Sequence, residues 1–323
     1  AGGAEALSRS AQGSWWERNK RPQLEWMLGQ VAPFVERHAA AQAKLPLDRR
    51  RPLSVVDVGG GQGNLAAAIA ARFGPMGVRV EVVEVDQKAV AKGRAKGRRM
   101  ANLAFTLADA STARLGAKFH EKGQTGEAVS ACYKEAERRV DLVVALHACG
   151  ALSDVAVAQA VRHKAGFVVC PCCFNANQFL RVPVEIPPTE DPAEAPAALA
   201  SSSASVPVSV SAADWLGLPA ASLAALLAAA DLQGDHAAAS EAAQTVCALR
   251  LEAAQRHWVE LWEQTGASAQ ARASAAGEKQ GCREEVGNAA AGGGGALRVS
   301  LRQFPIAFST RNLCLVGAPH SPE

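Results

Sequence analysis

The chain has few aromatic residues, little net charge and no long apolar run, and each shortage excludes something. Aromatics make up 5% of its 323 residues. The 49% hydrophobic share therefore leans on alanine and overstates the core. Alanine-rich runs such as Ala221–Ala230 favour helix but bury little area per residue. A formal charge of +3 neither requires nor excludes a nucleic-acid partner. Positive charge is concentrated only locally, at Arg18–Arg21, Arg49–Arg51 and Lys92–Arg99, and most such clusters are solvated faces. No stretch approaches the ~18 apolar residues of a membrane span, so no membrane partner is expected. The first residues lack the charged and then leucine-rich order of a secretory signal. The absence of an initiator methionine is compatible with a processed chain or a fragment. Eight cysteines in a chain of this length do not resemble a secreted disulfide scaffold. They point to a reducing intracellular compartment, the cytoplasm first, with an organelle still open.

What is present is an alternation of strand and helix signals. Residues 1–14 are small and polar and read as a disordered tail. Residues 15–51 read as a helix with a basic connector, because Leu24, Met27, Leu28, Val31, Phe34 and Val35 recur at three- and four-residue spacing. Over 52–182, short apolar runs alternate with helical segments. Strands are expected at Leu53–Val58, Val78–Val85, Leu103–Leu107, Asp141–Leu146 and Gly166–Cys170. Helices are expected at Leu65–Phe73, Lys88–Met100, Glu127–Arg139 and Leu152–His163. That order predicts right-handed crossovers and a mostly parallel sheet covered on both faces. Residues 183–210, rich in proline, serine and alanine, read as a low-complexity linker. Residues 211–265 read as helical, with Leu216–Ala230 and Glu241–Thr265 as its helices, and 266–296 as a disordered insertion. Residues 297–323 read as a closing hairpin with strands Leu297–Phe304 and Asn312–Val316. A nicotinamide-binding sheet would continue with a parallel strand; a closing antiparallel pair is the methyltransferase arrangement.

The first strand runs into Val55-Val-Asp-Val-Gly-Gly-Gly-Gln-Gly63. Glycines between a strand and a helix let backbone approach a ligand, although alone they serve a dinucleotide, a nucleoside or a tight turn equally well. The surrounding acids sharpen the reading. Asp57 precedes the glycines and is placed to orient the turn or meet a cationic amino group. Glu84 ends the second strand, where both ribose hydroxyls would be bound. Asp109 follows the third strand, where an adenine amino group would lie. Three acids around one turn suit an adenosine ligand without phosphates, and Gly59, Gly61 and Gly63 supply its backbone. The bland reading makes Asp109 a helix cap and Glu84 a solvated strand end. Asp86 is placed as an N-cap instead.

Two further segments, Leu146-His-Ala-Cys-Gly150 and Cys170-Pro-Cys-Cys-Phe174, follow the fourth and fifth strands. Both fall at the carboxyl edge, where open α/β sheets bind ligands. His147 is a candidate cofactor contact and a candidate general base, or else a structural hydrogen-bonder. Cys149, Cys172 and Cys173 are candidate catalytic thiols. Zinc is the competing reading, but the adjacent pair lacks a C-x-x-C spacing, so no metal is expected. Small cysteines packing a tight loop remain the third possibility.

Asp57–Gly63, His147–Gly150 with Leu152, Ser153 and Asp154, and Cys170–Phe174 together resemble the methyltransferase domain of the glutathione S-transferase C-terminal-domain-containing proteins. The His147–Gly150 segment and the later cysteine pair are also similar to those of eukaryotic tRNA 2′-O-methyltransferases. Arg311–Gly317 fits the terminal strand of such enzymes. The resemblance covers about 52–174 and the final strand. It implies a Rossmann-like class I methyltransferase sheet of seven strands, S-adenosylmethionine as cofactor, and contacts from Gly59, Gly61 and Glu84. An Asn/Asp-Pro-Pro-aromatic tetrapeptide is missing after the fourth strand, so amino methylation of a base has no support. No set of lysines and acids for metal-free ribose methylation is evident, which leaves catalysis resting on alignment of acceptor and methyl group. RNA is the leading acceptor, with Trp15, Trp16, Arg18, Lys20 and Arg21 as an arm that could stack on bases and meet phosphates. The same tryptophans could instead dock a helix on the sheet. The rival functions are a non-catalytic adaptor on the same fold, a methyltransferase for protein or small molecules, and a nicotinamide-dependent oxidoreductase.

Overall fold

Leu53–Val58 (β1) is buried on both faces because its β-branched residues point alternately to two layers. The computed structural model describes residues 16–116, 139–186, 206–277, 295–305 and 312–320. Eight further strands are present: β2 (Val78–Glu84), β3 (Leu103–Leu107), β4 (Leu142–Leu146), β5 (Gly166–Cys170), β6 (Val182–Ile186), β7 (Val206–Val210), β8 (Leu297–Gln303) and β9 (Leu313–Pro319). Seven form one sheet in the order β3-β2-β1-β4-β5-β9-β8. The first five are parallel; β9 runs antiparallel to β5 and to β8. This is the expected mostly parallel sheet with a closing antiparallel pair.

The described helices are α1 (Arg21–Ala43), α2 (Asn64–Phe73), α3 (Gln87–Gly97), α4 (Ala151–Arg162), α5 (Ala212–Leu216), α6 (Ala220–Ala230) and α7 (His236–Gly277). One core layer joins Met27, Val31 and Val35 of α1 and Ile69 of α2 to Val55, Val80, Val82 and Val144. The other joins α4 to α7 through Val155, Trp215, Leu227, Val246 and Trp258 against Val143, Phe167 and Leu315. Trp215 and Trp258 are almost fully buried. So few aromatics suffice because each fills a large volume between alanine-lined helices.

The structure departs from the sequence reading in four places. The ends of the segment expected to be irregular form a hairpin, β6 against β7, with Val184 opposite Val208. Leu216–Ala230 is two helices, because Gly217 takes a left-handed φ of 71° and Pro219 follows it. The last helix runs to Gly277 rather than stopping at Thr265. A π-helical turn, Trp16–Lys20, precedes α1. The disordered-tail reading for 1–14, the helix expected at Glu127–Arg139 (apart from Arg139) and residues 278–294 fall outside the described residues. The connector after α1 is tied down. Arg51 donates bidentately to Asp141 at 2.6 and 2.7 Å, fixing it to the start of β4. Among the described residues no helix is long and apolar enough to cross a membrane.

Candidate functional site: the glycine turn and the cysteine loops

The turn after β1 takes its shape from conformations that side chains resist. Gly61 has φ +57°, and a methyl group added there would meet nothing within 4 Å. Its backbone therefore faces open space from which a ligand can approach. Gly60 is held differently: an added Cβ would lie 2.6 Å from Oδ2 of Asp57. Gly59 and Gly63, also at positive φ, complete the turn into α2.

Asp57 lies beneath this turn and is 1% exposed. Among the described residues no donor satisfies either carboxylate oxygen at hydrogen-bond geometry. Burial pushes its carboxyl up to about 7; the Ala66 amide works against that shift and nearby Glu84 adds to it. A buried acid left with only the Ala66 amide nearby suits a cationic group above it.

Glu84 ends β2 as expected, but its first task is within the protein. Oε2 accepts from the Gly61 amide at 2.9 Å, and Oε1 accepts from the amides of Val85 and Asp86 at 2.8 and 2.9 Å. A carboxylate offers about four acceptor positions, so a ribose at this acid would share it with the turn. Asp86 caps α3, accepting from the Lys88 amide at 2.8 Å. Exposed Asp109 lies just after β3, and its Oδ1 accepts from Ser111 N and Oγ at 2.8 and 2.7 Å. That oxygen closes a turn rather than capping a helix, since no helix directly follows Asp109 among the described residues.

The other half of the site comes from the loops after β4 and β5. His147 sits at the end of β4 with φ +64°, a backbone state that non-glycine residues adopt at a cost. Its Nε2 lies 2.5 Å from Nζ of Lys20 and 3.1 Å from Oε1 of Gln23. One ring nitrogen cannot accept from Lys20 and donate to Gln23 at once. The ring is therefore either the tautomer that accepts from Lys20 or the one whose Nε2–H donates to Gln23. Burial first, then the Lys20 charge, lowers the His147 pKa to about 4; burial also lowers that of Lys20, with Cys172 opposing.

Sγ of Cys149 lies 2.9 Å from Sγ of Cys172, which is 3.7 Å from Sγ of Cys173. The contact with Cys172, followed by burial, holds the Cys149 thiol well above its usual range; burial raises Cys173 to about 11. As bare thiols these two are poor nucleophiles at neutral pH. The loops are stitched together: Gly150 N donates to Cys173 O at 2.7 Å, Ala148 N to Cys170 O at 3.1 Å, and Asn177 Nδ2 to Cys149 O at 3.1 Å. Asp231 accepts from the amides of Phe174 and Asn175.

Sequence reasoning missed two contributors. Lys20, expected on an exposed arm, folds back onto His147. Arg250 of α7 donates to both oxygens of Asp154 at 2.9 Å and to Gly150 O at 3.0 Å, with both charged side chains almost fully buried. The separation of 96 residues between Arg250 and Asp154 left no local signal. Of the remaining arm residues, Trp16, Arg18 and Arg21 are exposed, Arg21 pairing with Glu17, while Trp15 lies outside the described residues.

The start of α4, which follows the His147–Gly150 loop, packs on the glycine turn. A Cβ on Gly59 would lie 2.7 Å from Cδ2 of Leu152, two residues beyond Gly150. A cleft of about 530 Å³, lined by His38, Arg50, Pro52, Gly77 and Asn102, lies instead at the amino ends of the strands. That is the edge opposite to ligand binding in such sheets.

Residues 19–178 match the model of a family described as a methyltransferase domain. No curated protein matches the chain. Solved structures similar to it include the YcgJ protein from Bacillus subtilis, 15% identical, covering 46% of this chain and 54% of that one, TM-score 0.28. A geranyl diphosphate methyltransferase in complex with SAM is 14% identical, covering 47% and 48%, TM-score 0.30. A SAM-dependent methyltransferase from Aquifex aeolicus is 12% identical, covering 50% and 68%, TM-score 0.29. The chain spans about half the length of the first two. The open backbone of Gly61 and the unsatisfied acid beneath the turn fit a cationic nucleoside. The family match lies across them, so residues 19–178 are similar to a methyltransferase domain whose cofactor site would be this turn.

Proposed function

We propose that this chain transfers the methyl group of S-adenosylmethionine to RNA, tRNA or rRNA being the first substrates to test. The observation that carries the cofactor half is the Glu84–Gly61 hydrogen bond, which ties the second-strand acid to an open glycine turn. The RNA half is supported by the resemblance of His147–Gly150 and the Cys172–Cys173 pair to tRNA methyltransferases, and by exposed Trp16, Arg18 and Arg21 around the start of α1. When bound, the cofactor supplies an electrophilic methyl group. The protein's residues do the rest. Glu84 and the Gly61 backbone orient the nucleoside, and Asp57 supplies negative charge below it. Lys20, Gln23 and His147 gather at the carboxyl edge, where an acceptor hydroxyl or amine must lose a proton. The free thiols of Cys149, Cys172 and Cys173 suit a reducing intracellular compartment, the cytoplasm first.

Calorimetric titration with S-adenosylmethionine and S-adenosylhomocysteine, with NADH as control, tests the cofactor half. Micromolar affinity lost on Glu84→Ala is expected; no binding by a folded sample overturns the proposal and favours a non-catalytic adaptor. Transfer of labelled methyl to purified tRNA and rRNA, compared with protein and small-molecule pools, tests the acceptor. Label confined to the protein or small-molecule pools overturns the RNA assignment while leaving the cofactor intact.

A further inference from the structure

We propose that Cys149, Cys172 and Cys173 form a zinc site of three thiolates with one open coordination position, set in the loops after β4 and β5. Their sulfur atoms lie within 4.8 Å of one another, and this is the group of three metal-ligating side chains found among the described residues. The distances discriminate between explanations. A disulfide requires a separation of about 2.05 Å, which neither the 2.9 Å nor the 3.7 Å contact meets. Tetrahedral zinc with Zn–S bonds of about 2.3 Å puts its sulfurs about 3.8 Å apart. The Cys172–Cys173 distance already has that value, and Cys149 needs to retreat by less than about 1 Å.

The adjacency of Cys172 and Cys173 argues against zinc at the level of sequence spacing, but the third ligand comes from another loop. That loop is held rigidly. Gly150 has φ +56°, and a Cβ there would lie 1.6 Å from Ala176 O, so the two loops are in closer contact than any other residue permits. The Gly150–Cys173 and Asn177–Cys149 hydrogen bonds cross between them, and Arg250 holds Gly150 O from behind. Such fixed backbone is what keeps ligand geometry within a few tenths of an ångström. Charge fits as well. Three thiolates on one Zn²⁺ leave a net negative charge, and Lys20 is close enough to Cys172 to interact with it. All three cysteines are half-buried, leaving the fourth position to water, as in zinc sites that bind ligands rather than only brace a fold.

The test reads metal and not methyl transfer, so its failure is distinct from failure of the cofactor assignment. The full chain is purified without chelator and its zinc measured by mass spectrometry. It is then stripped and titrated with Co²⁺ alone, and thiolate-to-cobalt charge-transfer absorption is followed. About one zinc per chain and a sulfur-ligation spectrum are expected. Cys172→Ser should weaken zinc binding roughly tenfold or more, whereas Cys247→Ala, buried in α7 and outside the sulfur cluster, should not. Circular dichroism confirms that each variant is folded. The proposal is overturned by a folded chain with neither zinc nor a cobalt–thiolate band. It is equally overturned by full zinc occupancy in the C149S/C172S/C173S triple variant, or by a Cys149–Cys172 disulfide in protein alkylated at lysis.

Discussion

Nζ of Lys20 approaches Nε2 of His147 to 2.5 Å, across 127 residues of chain. The contact brings the segment ahead of α1 into the carboxyl edge of the sheet and gives Lys20 a role different from that of its exposed neighbours. Lys20→Met should lower kcat about tenfold, the size of one hydrogen bond to a charged group, with little change in KM for RNA. Arg18→Ala with Arg21→Ala should do the reverse, raising KM and weakening RNA binding while sparing kcat. Steady-state kinetics on both variants separates the two; parallel effects would mean that Lys20 is part of the binding arm.

Asp57 should make stability fall as pH rises. Its carboxyl titrates near 7 in the fold and near 3.8 unfolded. Between those values the native state holds a proton that the unfolded chain has lost, so native stability declines with pH until about 7. At about 1.4 kcal/mol per pH unit this costs the fold roughly 4 kcal/mol by pH 8. Asp57→Asn removes the cost. Its Tm should match or trail the wild type at pH 4 and exceed it at pH 8, as differential scanning calorimetry across that range will show. The advantage should shrink when S-adenosylmethionine is bound.

Arg250→Met should destabilise the fold by about 3–5 kcal/mol, because Asp154 is left charged and buried without its partner. Replacing both, with Asp154→Leu, should recover most of that loss. Urea denaturation of the single and double variants provides the measurement. A single variant within about 1 kcal/mol of wild type would show that the pair is dispensable.

Gly150→Ala should be tolerated poorly despite its small size. The added carbon meets a backbone oxygen that cannot rotate away, and the left-handed φ adds about 1–3 kcal/mol of strain. The expected result is a lowered Tm and loss of the Gly150–Cys173 hydrogen bond, read as faster amide exchange at Gly150. The equivalent change at Gly61, where a Cβ meets nothing, should cost only the φ strain in stability but obstruct cofactor binding.

Much of the sheet could be read from the sequence because β1, β2, β4 and β5 are short β-branched runs, each ended by a polar or glycine-rich turn. The glycine turn and Glu84 were legible for the same reason: they occupy strand ends. The β6–β7 hairpin was hidden by Pro183 and Pro207, residues that argue against strand except in an edge ribbon such as this one. The extension of α7 past Thr265 lies in an alanine- and serine-rich stretch whose composition suggests disorder, although alanine is also the strongest helix former. Lys20 and Arg250 were illegible as site residues because their partners lie 127 and 96 positions away. Local spacing carries no information about such pairs.

The position of β9 has a consequence for how the chain is made. It inserts between β5 and β8, so the hydrogen-bonding edge of β5 stays open while residues 171–312 leave the ribosome. During that interval Phe167, Val168 and Val169 present an unpaired apolar strand to any other chain nearby. Synthesis halted before Leu313 should therefore yield aggregates instead of a soluble partial domain, and nascent chains of this protein should depend on chaperones until their last strand emerges.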